Sequence, residues 1–128
     1  MRWLIDGNNL LGSKPDGWWR DRRAAVQRLV RALVDHHGRT EGAVTVVFDG
    51  PPDAEMAEVG RAGGITVEFA PGRRNAADDV IARMVSEDLD AATLTVVTSD
   101  RGLSERVRVA GAPVMGSGSF RRLIEAGR

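Results

Sequence analysis

Short apolar runs alternate along the chain with longer segments in which apolar positions recur at helical spacing. The runs are rich in Val and Ile and show little polar alternation, which is typical of strands covered on both faces of a parallel sheet. They occupy residues 2–5, 43–48, 65–69, 94–98 and 113–115. The pattern therefore predicts five strands.

The segments between these runs predict helices. Their expected extents are residues 18–37, 54–61, 75 to about 89, 102–110 and 119 onward. Gly38 is placed to end the first helix, and Asn75 to cap the start of the third. The positions expected to be buried include Trp19 in the first helix, Ile81, Val85 and Leu89 in the third, and Phe120, Leu123 and Ile124 in the fifth.

This alternation of strand and helix predicts one α/β fold. Crossovers between parallel strands are almost always right-handed, so the order favours a doubly wound sheet. We expect four or five mainly parallel strands, with the first strand central and helices on both faces. The 128 residues contain no repeat or linker, and we expect residues 1–128 to form a single domain.

Acidic residues follow three of the predicted strands. Asp6, Asp49 and Asp100 come directly after the first, second and fourth strands, and Asp78 lies at the start of the third helix. The carboxyl ends of parallel strands meet at one edge of the sheet, so we expect these groups to converge. Converging carboxylates repel each other unless a cation lies among them, and hard oxygen ligands suit Mg²⁺ or Mn²⁺.

Helix capping is the alternative explanation of these acids, because Asp is a favoured N-cap. It accounts for Asp100 on its own. It fits Asp6 and Asp49 less well, since each is followed by Gly and further residues expected to form a loop. Taken together, the four acids favour a shared metal site.

Helical geometry distinguishes Asp78 from its neighbour Asp79. Asp78 shares a face with Ile81 and Val85, which predicts that it points toward the strand ends. Asp79 lies four residues before Arg83, and we expect those two to form an exposed ion pair.

Composition restricts the chemistry further. Eighteen basic residues balance eighteen acidic ones, so any nucleic-acid contact must use a local basic patch. The candidates for phosphate contacts are Arg22, Arg23, Arg73 and Arg74. The adjacent Trp18 offers a surface on which a base can stack. The chain has no cysteine, which excludes disulfides, thiol nucleophiles and cysteine-bound metal sites.

Four sequence motifs resemble those of the NYN domains, in the YacP-like branch of the PIN-like nuclease superfamily. They are Leu-Ile-Asp-Gly-Asn-Asn-Leu at 4–10, Val-Val-Phe-Asp-Gly at 46–50, Ala-Asp-Asp-Val-Ile at 77–81 and Val-Val-Thr-Ser-Asp-Arg at 96–101. The resemblance extends from Arg2 to about Ile124. Each motif is weak alone, but the four together in this order are fairly specific.

The resemblance implies a PIN-like α/β fold and a Mg²⁺- or Mn²⁺-dependent RNA endonuclease that leaves 5′-phosphate and 3′-hydroxyl ends. The implied catalytic acids are Asp6, Asp49, Asp78 and Asp100. Asp6, Asp78 and Asp100 would hold one or two metal ions. Asn8 would be a further ligand or would position water, and Ser99 would contact substrate or steady the Asp100 loop. Many relatives carry a longer C-terminal segment, and the second acid at position 79 makes the choice between Asp78 and Asp79 less secure.

The implied partner is RNA, either structured or ribosome-associated, and the oligomeric state is open. A catalytically silent PIN-like domain that binds RNA or protein is the main alternative. A phospho-acceptor receiver domain fits poorly, because it needs an acidic pair after the first strand and a lysine after the last, and the only lysine is Lys14. Without a secretory signal or an apolar run of membrane-spanning length, we expect a cytoplasmic protein.

Overall fold

A computed structural model describes residues 1–39 and 42–126 of the chain. Its centre is a five-stranded sheet in which every pairing is parallel, with the order β3-β2-β1-β4-β5. The strands are β1 (Arg2–Asp6), β2 (Val44–Asp49), β3 (Thr66–Ala70), β4 (Leu94–Val97) and β5 (Val114–Met115). The prediction of a parallel α/β sheet with the first strand central is confirmed.

Six α-helices and two short 3₁₀ helices connect the strands within the described ranges. The α-helices are α1 (Gly7–Leu11), α2 (Arg22–His37), α3 (Ala54–Ala62), α4 (Ala76–Glu87), α5 (Arg101–Val109) and α6 (Ser117–Ala126). The 3₁₀ helices are Trp18–Arg20 and Ala91–Thr93. None of the helices in the described part of the chain combines the length and the apolar character needed to cross a bilayer.

Helices cover both faces of the sheet. On one face, α1, α2, α3 and α6 pack around a core that includes Ile5, Phe48 and Phe120. On the other face, α4 and α5 pack against Leu4, Val47 and other buried strand residues. Neighbouring residues of one strand thus enter opposite cores, which explains why the strands are apolar at nearly every position.

Two features near the N-terminus differ from the prediction. Residues 7–11 form α1 directly after β1, where we expected a loop. The helix predicted over 18–37 is divided at Asp21, whose side chain accepts a hydrogen bond from Ala24 N at 3.1 Å and caps α2.

Three residues expected in the core are exposed. Trp19 is 58% exposed, because it lies in the 3₁₀ helix before the break at Asp21 and is out of phase with the buried stripe of α2. Leu89 is fully exposed, because α4 ends at Glu87. Leu123 is 42% exposed, since α6 buries the narrower line through Ser117, Phe120 and Ile124. The expected burial of these three residues was wrong.

Candidate active site

The candidate acids lie together at the carboxyl edge of the sheet. Asp6 and Asp49 are the last residues of β1 and β2, and Asp100 lies just beyond β4. Because β1 pairs with both β2 and β4, these three positions come from adjacent strands. Asp78 reaches the same edge from the first turn of α4.

Asp6 is the most deeply buried of the four, with only 4% of its surface exposed. Its Oδ2 accepts a hydrogen bond from the Thr98 hydroxyl at 2.9 Å, and its Oδ1 accepts one from Asn9 N at 3.4 Å. The pKa of Asp6 is raised to about 6, chiefly because the carboxyl is buried. The two hydrogen bonds lower the pKa and the charges of Asp78 and Asp100 raise it, and the value of about 6 includes all of these effects. A buried carboxyl with neighbouring negative charges is typical of functional sites.

Three of the acids cap helix N-termini. Asp6 caps α1 through Asn9 N, and Asp100 Oδ1 accepts from Leu103 N at 2.8 Å at the start of α5. Asp49 Oδ1 accepts from Ala77 N at 2.7 Å, so it caps α4 from a neighbouring strand. The interpretation that capping fits Asp6 and Asp49 less well was therefore wrong. The α1 turn was not predicted, and Asp49 caps a helix that is distant in sequence.

Asn75 precedes α4 as predicted, but it does not cap it with its side chain. Its backbone has φ of 64°, the left-handed region, and no side-chain hydrogen bond to the helix is formed. Asp49 takes that role instead, which links a candidate catalytic carboxylate to the start of the helix that carries Asp78.

Asp78 lies within electrostatic reach of the other three acids. Partial burial raises its pKa, the charges of Asp100 and Asp49 raise it further, and Arg106 lowers it. Asp78 in turn contributes to the raised pKa of Asp6. The four carboxylates thus form one electrostatically coupled group.

Asp79 points to a different set of partners. It pairs with Arg73 and, at 3.0 Å, with Arg106. The expected pair with Arg83 was wrong, because Arg83 lies 3.8 Å from Glu87 one turn further along α4. Two cations from outside the helix attract Asp79 away from that surface pair.

The carboxylates of this group form no close ion pair within the described residues, although the charge of Arg106 acts on Asp78. No Lys, Arg or His nitrogen there lies within 4.0 Å of the carboxylates of Asp6, Asp49, Asp78 or Asp100. Nor do any three His, Asp or Glu side chains in those ranges lie close enough to hold one ion jointly. Mg²⁺ keeps several waters and is bound by one or two carboxylates, so this hard, negatively charged donor set fits such an ion when water supplies the other ligands.

Two asparagines after β1 tie the edge together. Asn8 Oδ1 accepts from Asp49 N at 2.7 Å, and Asn9 Oδ1 accepts from Ser99 N at 2.8 Å. Asn9 Oδ1 also accepts from the Ser117 hydroxyl at 2.6 Å, while Ser117 N donates to Ser99 Oγ at 2.9 Å. Ser99 thus joins the Asp100 loop to α6.

Sequence reasoning gave no role to Asn9, Ser117 or Thr98. Asn9 was visible inside the Asp-Gly-Asn-Asn motif, whereas Ser117 lies in a Gly-Ser-Gly-Ser segment at 116–119 whose composition favours a loop over the alternative of an anion site before the last helix. Their contacts span 90 to 108 residues of sequence. No local pattern could have indicated them.

A known protein family matches nearly the whole of the chain. The sequence model described as the YacP-like NYN domain matches residues 3–128. The chain belongs to this family. NYN membership supports a nuclease-like, RNA-related function.

Solved structures share the fold of this NYN domain. The crystal structure of Rae1 (YacP) from Bacillus subtilis has a TM-score of 0.80 and 22% identity, covering 98% of this chain and 74% of that one. A single-residue variant of the same protein has a TM-score of 0.77 and 23% identity, with 98% and 76% covered. No curated protein sequence matches the chain.

The predicted phosphate-binding arginines of the NYN domain have different surroundings. Arg22 donates to the Asp49 carbonyl oxygen at 2.5 Å, and Arg73 pairs with Asp79. Arg23 pairs with Asp53 at 3.3 Å and with Glu55 at 3.2 Å, outside the acidic group. Arg74 is exposed and has no ion pair among the described residues.

A cavity of about 470 Å³ connects several of these residues. Arg22, Arg73 and Arg74 line it together with Asn8, Trp18 and Asp49. Cationic side chains therefore share one concave surface with a candidate catalytic carboxylate and an aromatic ring. Arg23 lies outside it, in a neighbouring cavity beside Pro51 and Phe69.

Proposed function

We propose that this NYN domain is a Mg²⁺- or Mn²⁺-dependent RNA endonuclease with Asp6, Asp49, Asp78 and Asp100 as its catalytic acids. The observation that carries the proposal is the convergence of four electrostatically coupled carboxylates from three adjacent strands and one helix, without an ion-pair partner in the described ranges. Such a concentration of negative charge costs free energy in the absence of a cation, and a structural role alone does not require it.

Asp6, Asp78 and Asp100 are proposed as the carboxylates that hold metal, with one or two of them contacting an ion directly and water supplying its other ligands. A bound Mg²⁺ or Mn²⁺ supplies a hard Lewis acid that polarises the phosphodiester and acidifies water for hydrolysis. Asp49 accepts a hydrogen bond from Ala77 N and orients α4. We therefore place it beside the metal-holding carboxylates and do not count it among them.

Asn8 is assigned a positioning role in this proposal. Its side-chain oxygen already accepts a hydrogen bond from Asp49 N, which directs its amide NH₂ away from that contact. An amide NH₂ is a hydrogen-bond donor and suits a phosphate oxygen, not a metal ion. Ser99 is likewise proposed to position the Asp100 loop, since its backbone N–H and hydroxyl are both engaged within the protein.

Arg22 and Arg74 are the best candidates for holding the RNA backbone. Both line the cavity that contains Asp49, and neither has a carboxylate partner within 4.0 Å in the described ranges. Arginine donors contact phosphates without reading sequence, which suits a site that must position a strand. Arg73 contributes to the same surface while paired with Asp79.

A catalytically silent RNA-binding domain is the second candidate. One observation favours it: in the described residues, no three potential ligands are arranged to hold a metal ion together. The cavity and its arginines would serve this function equally well. The two candidates differ in their need for a divalent ion.

Incubation with a circular single-stranded RNA in Mg²⁺, Mn²⁺ or EDTA tests the proposal, because a circle has no end and only an endonuclease opens it. We expect opening with either ion, none in EDTA, and products with 5′-phosphate and 3′-hydroxyl ends. The double variant Asp78→Asn/Asp100→Asn is the matched control for a contaminating nuclease. Intact circles together with retained RNA binding would favour the silent domain.

A further inference from the structure

An exposed aromatic pair lies beside the candidate active site. Trp19 is 58% exposed, and its ring meets the Trp18 ring edge-on at a centroid distance of 6.2 Å. Trp18 is partly buried against the core and forms part of the wall of the 470 Å³ cavity. Exposure of so large a ring forgoes the stabilisation that burial would give, and within the described residues Trp19 is not packed against the core as Trp18 is.

The charges around this pair are suited to a polyanion. The Arg20 guanidinium lies 5.8 Å from the centroid of the Trp19 ring. Arg22 and Arg74 line the cavity next to Trp18. Two acids occur in the same segment. Asp16 accepts a hydrogen bond from Trp18 N and Asp21 accepts one from Ala24 N, so in each carboxylate one oxygen is already engaged and less available to these arginines.

We propose that an unpaired RNA base stacks on the exposed Trp19 ring, which Trp18 supports edge-on beside the cavity, with the adjoining phosphates held by Arg22 and Arg74. A volume of about 470 Å³ lies within the usual range of small-ligand sites, so one nucleotide can enter the cavity. Base stacking on tryptophan beside a basic groove is a general way of binding single strands without sequence preference.

The site therefore selects RNA that is single-stranded at the point of cleavage. A paired base cannot stack on a side chain without leaving its duplex, so a blunt duplex gains only the arginine contacts. This inference rests on the proposed function, and it concerns how the substrate is chosen, not how it is cut.

Binding measured in EDTA tests this site separately from catalysis. The probes are a short unstructured oligoribonucleotide and the same sequence as a blunt duplex, titrated while tryptophan fluorescence and the anisotropy of an end label are recorded. We expect the single strand to quench the fluorescence and to bind at least about tenfold more tightly than the duplex.

Two matched pairs of variants assign the binding energy. Trp19→Ala should weaken single-strand binding about 5- to 100-fold and reduce quenching, while Trp19→Phe should restore most of the affinity. Leu89→Ala, which removes another exposed apolar side chain, should bind like the parent. Arg74→Ala should weaken the binding of both probes and reduce by about one the number of ions released on binding, as measured from the salt dependence of the binding constant. Arg31 is also exposed, and Arg31→Ala should change neither quantity.

Each remaining outcome is informative. Equal affinity for both probes, or unchanged binding by Trp19→Ala, would overturn the stacking site. A parent that opens circular RNA with Mn²⁺ but binds neither probe in EDTA would also overturn it and leave the proposed function standing. Binding through Trp19 without any cleavage would support the stacking site and refute the nuclease.

Discussion

Asn8 Oδ1 accepts a hydrogen bond from the backbone N–H of Asp49 at 2.7 Å, which joins the end of β1 to the end of β2. The contact fixes the backbone of Asp49 through a side chain that lies two residues after Asp6, so it connects two candidate catalytic acids. Asn8→Ala leaves the Asp49 N–H without this acceptor, so we expect the free energy of unfolding in urea to fall by about 1–2 kcal/mol.

Asn8→Asp is the informative partner of that variant, because it keeps an oxygen in place for the Asp49 N–H. We expect it to recover much of the stability while adding negative charge beside the acidic group. Equal stability of Asn8→Ala and the parent would contradict the positioning role.

Asp78 and Asp79 should respond oppositely to loss of charge. Asp78→Asn removes a carboxylate proposed to hold the metal, so cleavage should fall by orders of magnitude. It also removes a charge that the other carboxylates repel, so the free energy of unfolding should be kept or slightly raised. Asp79→Asn removes only exposed pairs with Arg73 and Arg106, each worth about 0–1 kcal/mol, and cleavage should stay within a few-fold. Initial rates and urea unfolding of both variants are the measurements. Exchanged behaviour would identify Asp79 as the catalytic acid.

Asp100 combines a charge with a helix cap, and two substitutions separate them. Asp100→Ala loses the hydrogen bond to Leu103 N and should lower the free energy of unfolding by about 0.5–2 kcal/mol. Asp100→Asn retains a capping oxygen and should unfold close to the parent. Both should lose cleavage. If Asp100→Asn kept its activity, the carboxylate charge at this position would be dispensable.

The raised pKa of Asp6 predicts a pH-dependent stability. Between the ordinary pKa of an Asp, about 3.9, and the folded-state value of about 6, the folded protein binds more protons than the unfolded chain. The stabilisation is complete below pH 4 and is lost as the pH rises through about 6. It amounts to roughly 3 kcal/mol at most.

Asp6→Asn has no such titration and serves as the reference. Urea unfolding in EDTA between pH 4 and pH 7 should show the parent losing stability relative to this variant as the pH rises. Parallel curves would show that Asp6 titrates at its ordinary pKa. Metal is excluded because an ion bound to the ionised carboxylate would offset the trend.

Gly7, which directly follows Asp6, has no room for a side chain. A Cβ there would lie 2.5 Å from the ring of Phe48, which is fully buried, and 2.9 Å from the Val47 carbonyl oxygen. Gly7→Ala should therefore destabilise the fold by about 1–3 kcal/mol or more. Gly12→Ala is the control, because its Cβ meets nothing closer than 3.6 Å and the backbone φ of −73° suits alanine. When both variants are compared with the parent by thermal melting, Gly12→Ala should be neutral or slightly stabilising.

The sheet was predictable because its signal is local. Apolar runs such as Val-Thr-Val-Val-Phe at 44–48 mark strands that are buried on both faces, and their order along the chain favours parallel crossovers. The strand-end acids followed from the same logic, since parallel strands bring successive carboxyl ends to one edge. Local sequence was thus enough to place Asp6, Asp49 and Asp100.

The errors about side-chain partners arose where a distant residue decides the outcome. Asp49 caps α4 across 28 residues of sequence, and Asp79 is attracted by Arg73 and Arg106 and not by its helical neighbour. The division of the first helix at Asp21 has a local cause, since Asp21 caps α2 through Ala24 N. The spacing of apolar residues continued through this cap and so gave no sign that Trp19 would be exposed. Periodicity describes one helix at a time and carries no information on such partners.

The caps formed by Asp49 and Asp100 make this fold unusually tolerant of losing its acids. Asparagine caps helices as well as aspartate does, so the starts of α4 and α5 would survive the exchange. What remained would be two helix N-termini without acidic caps, the α4 one on the side of the cavity that Arg22 lines, and such helix ends attract phosphate. Asp and Asn codons differ by a single base. Loss of the proposed cleavage by such exchanges therefore does not require loss of these two helix caps.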